Sequence, residues 1–406
     1  LKPLLLLSLP ASSTMDRSRR LPGSGRRHGR LRCVARYALV CTGIVAIAAS
    51  VASSFVIARS AMTNAQHLHQ DAAQVSGFGR VGGSCTGSAS GNGARGAILP
   101  QRSVLARPAL GAPSLLAACT LPTLLGLWRS EYGVSYGYGG AVAASGFLML
   151  KVAASSTPIF AQAFCLVLYG LRLSAYLLYR ELCIPKFRDF RERIEERARQ
   201  RGARLKRLPF VLSCALLYLG LAAPALLALR SYAVRPSLGD PRSGLLAMLF
   251  QVLIVGMYSG WAVAALGDTY KSWHKATEGE GKVVTSGIFS LMRHPNYTGE
   301  QFLWTFNFLA GVVAVISGGA PMWSASTAGW LTISALGVLG INFVLMQATG
   351  GLQARQAAAY AGDEAYEKWV ARAWSGFPLS RTQASTAEGK ASGDVKVASA
   401  EDDTQA

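Results

Sequence analysis

Long apolar runs dominate the chain from Leu110 onward. A helix needs about 20 apolar residues to cross about 30 Å of hydrocarbon, where every backbone group must be bonded within its own segment. The runs therefore predict an all-α, polytopic transmembrane helix bundle with about seven core spans. The predicted spans are 114–128, 136–153, 159–180, 208–229, 244–266, 299–317 and 327–348. The second and the sixth are at the short end for a span, and their partial polarity predicts that they pack inside the bundle.

Other segments flank this core. Eight arginines lie between Met15 and Arg36, and an apolar stretch follows at about 34–57. This order is typical of a cleaved targeting segment and nearly as typical of a retained membrane anchor. The resulting division is a targeting or anchor segment at 1–58, a Gly- and Ser-rich disordered linker at 59–108, a membrane domain at 109–380 and a disordered tail at 381–406.

Composition agrees with a membrane protein. Hydrophobic residues make up 51% of the 406 residues and charged residues 15%, and the net charge is +20. The basic residues lie in short runs between apolar spans rather than in one basic soluble domain, so nucleic-acid binding is not expected. The longest basic run, 186–207, predicts the cytoplasmic or equivalent inner side. Alternating the spans from there places the loop 267–299 and the C-terminal tail on that same side.

Three sequence features are not expected to carry chemistry. Gly77, Gly79 and Gly82 spell G-x-G-x-x-G, but neither a strand nor a helix is predicted around them, so a dinucleotide fold is not expected there. His67 and His69 have no further ligands nearby. The seven cysteines form no C-x-x-C pair and mostly fall in apolar segments. We therefore expect no metal site and no disulfide framework.

The stretch from Gly267 to Trp304 carries the candidate chemistry. An ordinary interfacial loop needs a few Lys or Arg side chains and some aromatic residues. This stretch combines a fixed cation, an imidazole, an amide, a phenol and a carboxylate beside Pro295, which marks a helix entry. The candidate catalytic residues are Tyr297, His294 and Glu300, and the candidate cofactor-binding residues are Arg293, Asn296, Lys271, Asp268 and Arg172.

Several of these residues leave alternatives open. Glu300 falls just inside a span, where an unpaired carboxylate is costly, so Arg293 or Lys271 is expected beside it. Arg172 lies within the apolar run 164–179, where it either snorkels to the interface or pairs inside a pocket. Asp268 and Lys271 either serve a site or form an i,i+3 pair at a solvated helix end.

Three separated stretches carry a resemblance. They are VSYGYG at 134–139 with LYGLRLSAYLLYRE at 168–181, TSGIF at 285–289 with RHPNYTGE at 293–300, and YAGDEAYEKW at 360–369. Together they resemble the DUF1295 family of membrane proteins, which is related to the C-terminal domain of steroid 5-alpha-reductases. That superfamily also includes isoprenylcysteine and phospholipid methyltransferases. The resemblance implies that the R-H-P-x-Y-like motif lines a cofactor site on the cytosolic side.

The resemblance leaves three functions open. The first is an NADPH-dependent reductase of a C=C bond in a steroid, sterol or fatty acyl substrate, in an endoplasmic reticulum or plastid membrane. Gly281, Lys282, Gly287 and Phe289 before the motif favour it. In that function Arg293, Lys271 and Asn296 would hold the cofactor, and Tyr297 or His294 would supply a proton, with Glu300 orienting it.

The second function is a methyltransferase that uses S-adenosylmethionine, with Arg293 pairing with the cofactor carboxylate. The third is a non-catalytic membrane protein of the same fold. The chain also departs from its relatives at one place. Where they often have Leu-Glu after the last span, this chain has Leu352-Gln353, which puts any role of that glutamate in doubt.

Overall fold

The computed structural model describes residues 111–153, 157–200, 202–279, 281–318 and 324–376. The predicted targeting segment and linker, and the tail, lie outside the described residues. Ten α-helices are described, joined by short 3-10 turns, and these ranges contain no strand. The helices are α1 (Ala112–Thr123), α2 (Leu125–Trp128), α3 (Tyr136–Leu150), α4 (Pro158–Cys183), α5 (Pro185–Gln200), α6 (Leu208–Val234), α7 (Leu245–Glu278), α8 (Pro295–Gly318), α9 (Ala325–Ala359) and α10 (Glu364–Arg372).

Five of these helices, α4, α6, α7, α8 and α9, are long and apolar enough to cross a membrane. The chain is therefore an integral, multi-pass membrane protein with an all-α bundle. The first two predicted spans fall short of that length. Helices α1 and α2 together cover 112–128, close to the predicted 114–128, and α3 has 15 residues, so the prediction that the second span is short is confirmed. The prediction that the sixth span is short was wrong, since α8 begins at Pro295 and has 24 residues.

Polar side chains link the spans inside the bundle. Gln162 on α4 donates a hydrogen bond of 2.9 Å to Asn307 on α8, and Asn307 donates one of 2.8 Å to the carbonyl of Leu221 on α6. Both side chains are fully buried. Such bonds stabilise helix pairs where both partners otherwise face hydrocarbon. They fix α4, α6 and α8 relative to one another.

One end of the bundle gathers the polar segments. Helices α7 and α9 have 34 and 35 residues, so each is about 50 Å long at 1.5 Å per residue and extends beyond the hydrocarbon. The amphipathic helix α5 lies at the same end, where Arg191 forms ion pairs with Glu131 (3.1 Å) and Glu181. We call this the inner end of the bundle. That it faces the cytoplasmic or equivalent side stays a prediction.

The loop between α7 and α8 is held by the chain that follows α9. The backbone N–H of Arg293 donates to the Trp374 carbonyl at 2.8 Å, and the Trp374 N–H donates to the Leu291 carbonyl at 3.0 Å. The Trp369 indole donates to the Phe289 carbonyl at 2.7 Å. Thus α10 and the residues after it clamp the loop that carries the start of the R-H-P-N-Y motif.

Candidate functional site

A close approach of α7 and α8 builds the base of the site. A Cβ atom on Gly299 would lie 2.4 Å from the backbone nitrogen of Ala264, and one on Gly260 would lie 2.6 Å from that of Leu303. No side chain fits between the two helices at this crossing. The glycine of the N-Y-x-G-E motif is therefore required by packing, and the crossing brings the inner half of α7 against the first turns of α8.

Arg172 and Asp268 form a buried ion pair between α4 and α7. Arg172 is 0% exposed and Asp268 is 6% exposed. Arg172 also donates to the Ala264 carbonyl at 3.2 Å, and its guanidinium lies 5.7 Å from the Tyr176 ring centroid. The structure thus places Arg172 in a pair inside the protein rather than at the interface, and Asp268 pairs with it across helices.

Glu300 lies one helical turn beyond Asn296 on α8. It interacts electrostatically with Arg172 and Asp268, and it lies beside the side chain of Tyr169. The expected partner, Arg293 or Lys271, was wrong, because the cation close to Glu300 is Arg172. The reason is position, since Arg293 lies in the loop before α8 and Glu300 lies inside that helix, beyond its first turn.

A cavity of about 220 Å³ lies between the inner parts of α7 and α9 and the clamped loop. We call it the basic cavity, because five Lys or Arg residues and no described carboxylate are among its lining residues. These cations are Lys271, Lys275, Lys282, Arg293 and Arg355. His294, Phe289, Tyr360 and Trp369 contribute imidazole and aromatic surface. Such a lining suits an anionic ligand with several charges.

A second cavity, of about 410 Å³, lies between α4 and α5 on one side and α7 and α8 on the other. We call it the aromatic cavity, because its wall on the α4 and α5 side includes four aromatic rings, together with Arg180 and Arg193. The rings are Tyr176, Tyr179, Phe187 and Phe190. The opposite wall is polar and includes Asp268, Ser272, Asn296 and Tyr297. Lys271 and Lys275 line both cavities, so the two spaces adjoin along one face of α7.

His294 and Arg293 lie at the end of the loop before α8, and both line the basic cavity. Burial, together with the positive charges of Lys271 and Arg293, lowers the pKa of His294 to about 3. Its imidazole is therefore neutral at physiological pH, and its buried Nε2 has no hydrogen-bond partner among the described residues. Burial also lowers the pKa of Arg293. A ligand that supplies negative charge would relieve both groups.

The turn before the motif depends on a glycine. Gly287 has a φ of +59°, and a Cβ there would lie 2.6 Å from the Tyr270 ring. The hydroxyl groups of Tyr270 and Ser286 are 2.8 Å apart. The T-S-G-I-F stretch thus folds against α7 and directs the chain toward Phe289, whose carbonyl is bonded by Trp369.

The structure gathers all eight predicted site residues around the inner half of α7. Lys271, Arg293 and His294 line the basic cavity, whereas Asp268, Asn296 and Tyr297 line the aromatic cavity. Arg172 and Glu300 lie beneath the second cavity without lining either one. Their roles in binding or catalysis stay predictions.

Sequence reasoning missed several lining residues. Lys275 was recoverable, because it follows Lys271 by four residues and so shares its helix face. Lys282 was noted only as part of the run before the motif, and Arg355 gave no signal, since the two residues meet only through the fold of α9 over the loop. Arg180 lies in the stretch 168–181 that carries the resemblance, where nothing marked it as a lining residue.

The departure at the end of the last span lies beside this site. Leu352 lines the basic cavity, and the buried amide nitrogen of Gln353 has no hydrogen-bond partner in the described part of the chain. Gln353 itself lines neither cavity, so any effect of this departure on the site stays open.

A family model described as a protein of unknown function, DUF1295, matches residues 133–372, which is more than half of the chain. The matched region begins in the turn before α3 and ends at the last residue of α10, so it contains both cavities. No curated protein and no solved structure matches the chain.

Proposed function

The chain belongs to the DUF1295 family, and we propose that it is a membrane reductase that uses NADPH to saturate a C=C bond of a lipid-like substrate. A relationship to steroid 5-alpha-reductases is part of this proposal. The observation that carries it is the basic cavity of about 220 Å³, whose lining residues include five cations and no described carboxylate, although Lys282 pairs with the neighbouring Glu278 at 3.6 Å.

The charge of the lining favours NADPH over S-adenosylmethionine. The phosphates of NADPH carry several negative charges, which suit Lys and Arg side chains. S-adenosylmethionine carries a sulfonium and an ammonium group against one carboxylate, so it is a net cation that these five side chains would repel. The neutral His294 also fits a crowded cationic site, where it can donate a hydrogen bond without adding charge.

The adjoining cavities suit a ligand with an anionic end and a planar end. Lys282, Arg293 and Arg355 would hold the phosphates in the basic cavity, and Lys271 and Lys275 would follow the ligand along α7. Asp268 and Asn296 would hold the amide end in the aromatic cavity. When bound, NADPH supplies a hydride.

Tyr297 is the proton donor in this proposal. Reduction adds a hydride to one carbon of the double bond and a proton to the other, so the protein must supply one proton in each turnover. The Tyr297 side chain lines the aromatic cavity, and it interacts electrostatically with Asp268, Arg180 and Glu300. The phenol gives its proton to the substrate carbon and regains one from water at the inner end. His294 serves in binding, because its neutral imidazole is a poor acid.

The aromatic wall of α4 and α5 would receive the apolar substrate from the inner leaflet. A membrane reductase of such a substrate fits the endoplasmic reticulum or a plastid membrane, to which the basic and then apolar segment at 15–57 is suited.

Ligand binding tests this proposal without any substrate. Purified protein in detergent is heated with NADPH, with NADH or with S-adenosylmethionine. A ligand at 100 times its dissociation constant stabilises by about 2.7 kcal/mol, so NADPH should raise the Tm. Arg293→Gln should abolish this rise, whereas Arg372→Gln, an exposed cation outside both cavities, should keep it.

Two results would contradict the proposal. Stabilisation by S-adenosylmethionine alone would show a methyltransferase-type site. A response to none of the three ligands would favour a non-catalytic membrane protein. A rise with NADPH but not with NADH would assign the extra phosphate to the basic cavity.

A further inference from the structure

Arg180 lies in an unusual setting at the inner end of α4. Its guanidinium carbon is 3.9 Å from the centroid of the Phe187 ring and 5.6 Å from that of Tyr176. The side chain therefore lies between two rings, one from α4 and one from α5, inside the lining of the aromatic cavity. Stacking of this kind holds the planar group in one orientation.

The Arg180 side chain makes no hydrogen bond and no ion pair to any described residue within the usual distances. Glu131 is the described carboxylate that interacts with it electrostatically, and Glu131 is already paired with Arg191 at 3.1 Å. An arginine that is fixed by rings and lacks a carboxylate partner keeps its donors available. These donors suit a carboxylate or a phosphate.

Arg180 lies in the same cavity as Tyr297. Both residues line the aromatic cavity, and the two interact electrostatically. The α4 and α5 wall also includes Cys183, Ile184 and Phe190, and a second cation, Arg193, on α5. A molecule on this wall thus meets apolar and aromatic surface beside two cations. Of these, Arg180 is the one held against rings and in electrostatic contact with the proposed proton donor.

We infer that the substrate is an anionic amphiphile, and that Arg180 binds its acidic head group. The head group is a carboxylate or a phosphate on an apolar chain or ring system. It enters from the inner leaflet between α4 and α5, and its double bond lies close enough to the head group to reach Tyr297. The inference rests on the proposed function, because it takes the aromatic cavity as the substrate side.

The position also has an ordinary structural use, since a cation in the last turn of a helix is favoured by the helix dipole. That use alone predicts a loss of stability when the charge is removed, and no preference among ligands. The two explanations therefore differ in what a binding experiment measures.

The test compares charged and neutral probes with the same chain. Binding of oleate and of methyl oleate is measured by calorimetry on the full-length protein in phosphatidylcholine nanodiscs. A charge-assisted hydrogen bond of this kind should make oleate bind about tenfold more tightly than its ester. Arg180→Gln should remove the difference, and Arg188→Gln, an exposed cation on α5, should keep it.

Two further arms sharpen the result. Binding of oleoyl lysophosphatidate is compared with that of neutral monoolein. If this ratio of affinities exceeds the ratio for oleate over methyl oleate, a phosphate is preferred to a carboxylate. Repeating the oleate titration with saturating NADPH separates substrate from cofactor, and both should bind together. Arg180→Lys keeps the charge and should retain part of the preference. It is the control for the possibility that Arg180→Gln loses the preference because its fold is disturbed.

The inference is overturned if oleate and methyl oleate bind equally to the parent protein, or if Arg180→Gln weakens both by the same factor. Competition between NADPH and oleate would also overturn it, since Arg180 would then serve the cofactor phosphates. None of the binding arms requires turnover. If NADPH does not bind at all but the oleate preference depends on Arg180, the anion site stands and the reductase proposal fails.

Discussion

Arg172 on α4 and Asp268 on α7 are paired in the bundle beneath the aromatic cavity, and both side chains are almost fully buried. A buried pair of this kind stabilises little by comparison with apolar residues, but a single remaining charge is very unfavourable. Both members of the pair also interact electrostatically with Glu300. The main consequence of the pair is that it ties α4 to α7 inside the bundle.

The first prediction concerns this pair. Arg172→Met and Asp268→Leu should each lower the free energy of unfolding by about 3–5 kcal/mol, because each leaves one buried charge. The double variant should recover much of that loss. Chemical unfolding in detergent, arranged as a double-mutant cycle, measures the coupling. Additive losses in the double variant would show that the two groups do not stabilise each other.

The second prediction concerns Tyr297, the proposed proton donor. Tyr297→Phe should reduce turnover by about 10²–10⁴, the usual contribution of a general acid, and should leave NADPH binding unchanged. Tyr179→Phe removes a phenol from the same cavity and is the matched control, which should keep turnover within a few-fold. Rates are followed by loss of NADPH absorbance. Equal activities of the Tyr297→Phe variant and the parent would remove Tyr297 from the mechanism.

The third prediction concerns pH. The pKa of His294 is about 3 in the folded protein and about 6.5 when unfolded, so between these values the unfolded chain binds more protons. Stability is therefore lost as the pH falls below about 6.5. At pH 5 the loss from His294 is about 2 kcal/mol. Comparing Tm at pH 7.5 and pH 5 should show a smaller drop for His294→Gln than for the parent, and equal drops would contradict the assignment.

The fourth prediction contrasts two glycines. Gly299→Ala would place a Cβ 2.4 Å from the backbone of Ala264, so α7 and α8 must separate, at a cost of about 1–3 kcal/mol. Gly350 lies within α9 with open space around its Cβ position. Gly350→Ala should instead stabilise by up to about 1 kcal/mol through helix propensity. Thermal unfolding of both variants tests the opposite signs, and a stable Gly299→Ala protein would disprove the close crossing.

Much of the bundle could be predicted from sequence, because hydrocarbon restricts the backbone to helices and selects apolar runs of a certain length. The predicted ends of the helices were wrong where helices extend beyond the hydrocarbon. Helix α7 continues from the predicted end at 266 to Glu278, and α9 continues from 348 to Ala359. The pattern of apolar residues no longer marks the helix there. Packing against the loop decides where each helix ends.

The site was predictable as a set of residues but only partly as an arrangement. The unusual mixture at 293–300 marked the motif, and Pro295 marked the start of α8. Sequence could not show that Arg172 reaches Asp268, since the two are 96 positions apart. It also could not show that Arg355 and Lys282 face the same cavity. Those relationships depend on helix crossings set by glycine contacts between helices.

The clamp formed by Trp369 and Trp374 has a consequence for biosynthesis. The chain is made from its amino end, so the loop that carries Arg293 leaves the ribosome well before the residues that bind its backbone. The basic cavity can therefore be completed only after the five described spanning helices have been made and α9 has been inserted in the correct direction. A chain with one span misinserted would keep its motif but place Trp374 on the wrong face of the membrane, and so would lack a completed basic cavity.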